Sequence, residues 1–412
     1  MLEQWKQLRF KYEVGLLLAL CFFLPLLEQP KNLAWLAFVV TWVVNRVRAR
    51  DFGGAWRAWD TLFLLWIGSG LAVAAAAQLG EIRDAEWKGA RDLFRYGTLA
   101  WLVSRGGYSA PVRRWLLATL VASTLVALAI GYARLWTGIG RSGTLQLYSV
   151  GHVNHTAIYL AIMLGLAAAW LFAAFRSWGT RERVAGGAVF AILLVSLAFT
   201  ASRAAVGGGI AALLVLAVAF LPRWRAPLLI VLGGGIAVVL GAIALDTELV
   251  RKQERYEAQG IELSQRGGIW RMGLAGWARH PWLGVGMGNY QHITPARVKA
   301  WRAEAGQDFD PKRYVHFPHG HSLYVNTLAE RGAVGFAILA AVLLAWGVQL
   351  LRGRPAVAAS DDDWLLWGAS AAALVVTLAA GLFNTTLHHE HGLLAALLLG
   401  LWLDRRKAHA AS

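Results

Sequence analysis

The sequence predicts an all-α fold: a polytopic membrane protein of about twelve transmembrane helices with one large extramembrane loop between spans nine and ten. Three observations predict it. Of the 412 residues 57% are hydrophobic and 21 are Trp, with a mean hydropathy of +0.48, a composition outside that of ordinary soluble domains. Apolar runs of roughly 17–25 residues, each able to cross about 30 Å of hydrocarbon as a helix, recur along most of the chain. The stretch 246–320 is by contrast too polar to cross a bilayer.

The spans read 14–28, 32–45, 60–79, 92–104, 115–133, 155–175, 184–200, 203–221, 227–245, 332–352, 364–383 and 391–403, the second and fourth being the shortest. The chain thus divides into spans one to nine (1–245), a loop that caps the outer face (246–320), and a short outer helix with spans ten to twelve (321–412). Orientation follows from the basic residues. With the N-terminus inside, the inner segments hold 20 Lys and Arg from Lys6 to Lys407, and the short outer ones hold eight: Lys31, Arg83, Lys88, Arg91, Arg95, Arg134, Arg141 and Arg203. The positive-inside rule then puts both termini in the cytoplasm and 246–320 outside.

The net charge of +16 is mostly this topology signal. A basic surface without a soluble domain to read bases does not make a nucleic-acid binder. The first apolar run follows a basic N-terminus as a signal peptide does, but no A-x-A site closes it and another span follows at once, so it reads as a retained anchor. Cys21, the single cysteine, lies in the first span, which leaves no disulfide and no cysteine-based metal site.

Within the outer loop, ELVRKQERYEAQG (248–260) and PARVKAWRAEAG (295–306) read as short amphipathic helices, and RGGIWRMGLAGWARHP (266–281) as a helix ended by Pro281. Trp270, Trp277, Trp282, Tyr290, Trp301, Tyr314 and Phe317 are expected to anchor the cap in the headgroups or to stack on sugar rings. The glycine runs 207–209 and 233–235 lie inside spans, where they allow close helix packing. GVGMGN (284–289) has no strand before it and reads as a structural turn rather than a phosphate cradle.

No charge falls at the middle of a span, which argues against a proton-coupled transporter. The polar groups gather at the outer helix ends. Arg203 sits on a two-residue hinge between spans seven and eight, against the orientation bias, and so is a functional candidate rather than a loose snorkelling side chain. Arg266 precedes two glycines at the start of a helix, well placed to meet a ligand, whereas Arg279 and in part Arg271 read as solvated charges on that helix.

HFPHGHSLYVNTLAERGAVG (316–335) puts His316, His319 and His321 in six residues before an apolar helix. Pro318 and Gly320 break the chain, Ser322 reads as a cap, and the helix SLYVNTLAER ends at Gly332 before the next span resumes. His321 then lies at a helix N-terminus, whose dipole disfavours the imidazolium. A neutral imidazole there accepts a proton, and the free backbone N–H groups suit an anion. His316 reads as structural or solvated, and His319 stays open. Two metal patterns are set aside. In LHHEHG (387–392) adjacent residues cannot all face one ion and the i,i+4 pair of a zinc helix is absent, and Asp308 and Asp310 form a lone D-x-D in a polar loop.

These segments carry a resemblance. HSLYVNTLAERGAVG, with His321, Ser322, Leu328, Glu330, Gly332 and Gly335, resembles the H-[NS]-x-x-[LV]-x-x-L-x-E-x-G-x-x-G pattern of the O-antigen ligase and polymerase superfamily. Ser202-Arg203 is similar to that superfamily's Ser-Arg before a span, and RGGIWRMGLAGWARHPWLGVGMGNY (266–290) to its R-x(3)-W…HP-x-x-GVG-x-GN segment. Ser322 stands where Asn is commoner, and His319 leaves open which imidazole is active.

The resemblance implies a reaction on the outer face of the bacterial inner membrane, in which a glycan leaves undecaprenyl diphosphate for an acceptor hydroxyl without nucleotide sugar, metal or other cofactor. Chain length and the single cap suit a ligase, whose partners are undecaprenyl diphosphate-linked O-antigen and lipid A-core. The near alternative is a polymerase of the same superfamily; a lipid or glycan transporter is the alternative of a different class. On this reading His321 is the base, Arg203 and Arg266 hold the diphosphate, and Arg271 and His319 add substrate contacts.

Overall fold

The computed structural model describes residues 2–139, 144–227, 229–231, 233–235 and 264–410 and contains no strand among them. Before the cap the described residues include α1 (Leu2–Phe23), α2 (Glu28–Ala49), α3 (Ala58–Ala77), α4 (Glu86–Val103), α5 (Ala110–Trp136), α6 (Val153–Ala174), α7 (Thr180–Phe199) and α8 (Arg203–Phe220). The cap supplies α9 (Ser264–Arg279) and α10 (Pro295–Glu304), and the chain continues with α11 (Leu323–Arg352), α12 (Asp361–Gly381) and α13 (His389–Ala410). Helices α3, α5, α6, α7, α8, α11 and α12 are long and apolar enough to cross a membrane. The expected count of about twelve spans is not carried by length and composition: α1, α2, α4 and α13 form as helices, but α4, for one, holds Glu86, Lys88, Arg91, Asp92 and Arg95. Most of the ninth expected span, 227–245, and all of the expected helix 248–260 lie outside the described residues.

Small residues set the core. Helix α6 and helix α12 are the most enclosed of the apolar helices, and they close on each other where a Cβ at Gly165 would stand 2.3 Å from that of Ala372 and one at Gly368 2.7 Å from that of Ala169. Such close backbone approach is how apolar helices gain dispersion contacts when hydrophobic burial alone does not favour pairing. The glycine run of α8 acts in the same way, Gly208 against Ala380 and Gly209 against Leu197.

The antiparallel helices divide the polar residues between two ends. At one end the carboxylates are paired. Arg105 grips Asp60 through Nε and Nη2, each at 2.6 Å. Asp404 accepts the amides of Gly107 and Tyr108 at 2.6 and 2.9 Å, and Arg405 meets Asp363 at 2.5 Å. Buried charge is tolerated there because each has a partner.

The other end carries the cap, which has an apolar centre of its own: Ile82, Ile269, Met272, Tyr290, Ile293, Val298, Trp301 and Ala329. Two expected outward-facing aromatics are corrected by this. Tyr290 and Trp301 are 1% and 9% exposed and fill the cap's core, where the Tyr290 hydroxyl donates to the Ile269 carbonyl at 2.6 Å. Their large apolar rings exclude water from the centre of the cap, with Phe309 and Tyr314 packed against them. Trp282, at 71% exposure, remains on the surface.

Helix α11 breaks at Gly332, as its sequence predicted, with φ 62° and ψ −167°. The break leaves four backbone groups without helical partners, and the strap 281–286 takes all four. The amides of Val285 and Gly286 donate to the carbonyls of Ala329 and Glu330 at 2.9 and 3.1 Å, while those of Ala333 and Val334 donate to Pro281 and Trp282 at 2.7 and 3.2 Å. GVGMGN is the structural turn expected, with Gly284, Gly286 and Gly288 all at positive φ. Glu330, a residue of the motif, accepts the amide of Tyr290 at 3.4 Å and locks the turn onto the broken helix. A methyl group at Gly332 would sit 2.3 Å from the Trp282 carbonyl in a conformation that only glycine adopts readily. Gly332→Ala is therefore expected to cost about 3 kcal/mol or more, read as a lower melting temperature in detergent.

Candidate active site

Segment 316–322, the loop after α12 and the first turns of α6, α8 and α9 come together beneath the cap. Ser322 is the N-cap of α11, its hydroxyl accepting from the Val325 amide at 3.4 Å, as the sequence predicted. The Gly320 amide donates to Asn326 Oδ1 at 2.9 Å, which pins the chain on the other side of His321. Between these two anchors His321 is held at φ 44°, a left-handed conformation costly for a residue with a Cβ. Five non-glycine residues with positive φ occur among the described residues, and four of them, Ala201, His321, Leu387 and His389, lie at this end. Strain of this kind persists where the surroundings fix a side chain in place.

The His321 ring lies 4.3 Å from that of His319 and 4.5 Å from that of Phe317. The Asn384 side chain faces it and favours the charged ring. Asn384 is buried. Burial pushes His321 down to about 4, helped by His319 and Arg266 and opposed by Asn384. His319 is likewise pushed to about 4, by burial and then by His388 and His152. Both shifts favour the neutral imidazole expected from the helix dipole, with desolvation as the main cause.

Arg266 lies in the first turn of α9, half-buried, with its guanidinium 5.3 Å from the centre of the Phe383 ring. Phe383 adjoins Asn384, so one short loop positions both the arginine and the histidine. Arg203 heads α8 and is exposed at the same end. Its neighbour Ser202 donates to Asn154 Oδ1 at 3.0 Å, tying the starts of α8 and α6 together.

The remaining candidates have structural partners. Arg271 is exposed and donates through Nε to the Arg313 carbonyl at 2.8 Å, fastening α9 to the turn Pro311–Arg313. Arg279 pairs with Glu81 and Glu304 at 3.2 and 2.9 Å, and His316 binds the Gln291 carbonyl at 2.7 Å. Asp310 caps the amide of Lys312 at 3.0 Å, a turn role for the D-x-D pair.

LHHEHG cannot by itself turn enough nitrogens toward one point, but the fold supplies one from another helix, which corrects the exclusion of this segment as a metal pattern. The fold brings His155 from α6 against it, and the ligating nitrogens of His155, His388 and His389 all lie within 4.8 Å of one another. The third imidazole is over 200 positions away in the chain, so no local spacing announces it. Asn384 was missed for the same reason. These histidines and His319 line a cavity of about 410 Å³ together with Lys88 and Asp92.

Residues 188–340 match the family described as O-antigen ligase. The matched segment contains Arg203, Arg266, Arg271, His319 and His321. No curated protein matches the chain. The apolar helices and the family match together point to a multi-pass membrane protein, and the match over residues 188–340 supports its membership of the O-antigen ligase and polymerase superfamily.

Proposed function

We propose that the protein is an O-antigen ligase, which transfers a glycan from undecaprenyl diphosphate to a sugar hydroxyl of lipid A-core at the periplasmic side of the inner membrane. The observation that carries this reading is the placement of His321, held at φ 44° against His319 and near Arg266, within the segment 188–340 that matches the O-antigen ligase family. The distribution of Lys and Arg along the sequence supports cytoplasmic termini and hence a periplasmic position for this end, where the donor and the acceptor lipid meet.

In the reaction a ring nitrogen of His321 accepts the proton of the acceptor hydroxyl. The oxygen attacks the anomeric carbon as the bond to the diphosphate breaks, with inversion at that carbon. The bonding pair leaves with undecaprenyl diphosphate. Arg203 and Arg266 hold the diphosphate and offset the charge that develops on it, work that a divalent metal does in other transferases. His319 and Arg271 contribute contacts to the glycan or the acceptor.

The test is to mix purified protein with undecaprenyl diphosphate-linked glycan and rough lipopolysaccharide, without nucleotide or metal, and identify by mass the lipid carrying the glycan. Glycan on lipid A-core supports the ligase. Longer chains still on undecaprenyl diphosphate make the protein a polymerase, and no new bond at all leaves a transporter. Because the arginines supply the charge, transfer is expected to proceed at full rate in excess EDTA; a strict Mg²⁺ requirement would overturn this mechanism.

A further inference from the structure

The geometry points to a transition-metal site of the Zn²⁺ class built from His155, His388 and His389. His155 stands at the centre of a group of imidazoles, its ring 4.4 Å from that of His389, 5.2 Å from His391 and 5.8 Å from His388. So many rings cannot all be protonated at such separations, and a neutral imidazole offers a lone pair to a cation. In two of the three residues a buried ring nitrogen has no hydrogen-bond partner, Nδ1 of His155 and Nδ1 of His388, and both nitrogens of the neighbouring His391, outside the ligand group, are in the same state. Buried polar atoms are nearly always satisfied, so a cluster of orphaned imidazole nitrogens is the signature of a group that binds them.

The distances fit with small adjustments. Tetrahedral Zn²⁺ with bonds near 2.0–2.1 Å needs its ligand nitrogens about 3.3 Å apart, and the three nitrogens start within 4.8 Å of each other. The donor set also selects the ion. Three nitrogens without a carboxylate suit Zn²⁺, Co²⁺ or Cu²⁺ and do not suit Mg²⁺ or Ca²⁺. The nearest carboxylate in sequence, Glu390, is engaged by Lys31 in a buried ion pair. His152 accepts the Asn154 amide at 3.2 Å through Nδ1, as the cap of α6, and is left out of the ligand set. Three protein ligands leave a fourth position, and the cavity lined by His319, Lys88 and Asp92 gives water or an anionic oxygen room to fill it. The backbone strain at Leu387 and His389, φ 55° and 47°, flanks His388 and belongs to the same construction.

The site does not depend on the transferase reading, because binding is measured without turnover. Untagged full-length protein in detergent is stripped with chelator and titrated with Co²⁺, then with Zn²⁺. The expected result is one equivalent per chain, the visible d–d bands of tetrahedral Co²⁺ without a thiolate charge-transfer band, displacement by Zn²⁺, and a rise in melting temperature. His155→Gln and His389→Ala should each weaken binding at least tenfold, and His316→Ala should leave it unchanged. His389 is exposed, so its variant remains informative if His155→Gln fails to fold. Stripped wild-type protein that takes up no metal overturns the inference. So does a folded His389→Ala variant that binds as tightly as wild type.

Discussion

Replacing His321 with alanine is expected to lower glycan transfer roughly 10²–10⁴-fold, the usual contribution of a positioned general base. The protein should stay folded in the membrane, since the Ser322 cap and the Gly320–Asn326 hydrogen bond that shape this segment do not use the imidazole. The same assignment fixes the pH profile. Only the neutral ring can take a proton, and the folded value, about 4, lies below the ordinary 6.5. The active form is therefore complete at neutral pH and is lost only as pH falls through about 4. Transfer should stay level from pH 7 to about 5, whereas an acid limb centred near the ordinary imidazole value of about 6.5 would contradict the buried, neutral base. A loss of only a few-fold in His321→Ala would move the role to His319, whose ring lies 4.3 Å away, or to no residue.

Arg203→Ala should cost roughly 10²–10³-fold in rate, the scale for removing one group that stabilises developing charge. Arg203→Lys should recover only part of it, because a lysine keeps the charge but lacks the planar fork that grips two phosphate oxygens. Arg203 is exposed, and a rate loss far larger than any fall in melting temperature is the expected signature. This separates a diphosphate contact from a structural role. Near wild-type turnover in Arg203→Ala would make the residue a headgroup anchor and leave the leaving group to Arg266 alone.

The sequence by itself determined the all-helical membrane architecture, because hydrocarbon thickness imposes a minimum apolar length that can be read along the chain. It also determined the features whose causes are local. The Ser322 cap, the break at Gly332 and the turn at 284–289 depend on residues within one or two turns of each other, and all three stand in the fold where they were read. The segments holding Arg203, Arg266 and His321 were legible as well, each as a departure from its surroundings: a charge on a hinge, a charge at a helix start, imidazoles before an apolar run.

What only the tertiary structure decided is how these segments face one another. Asn384 faces His321 although 63 positions separate them; His155 reaches His388 and His389 across the bundle; Glu330 accepts the amide of Tyr290, and Tyr290 itself fills the core of the cap. Charge and burial at each of these positions are set by neighbours from other helices. The neutrality of His321 shows the difference most directly: a helix dipole could be read from the sequence, but the larger cause, desolvation, exists only once α9, α11 and the loop after α12 have closed around the ring.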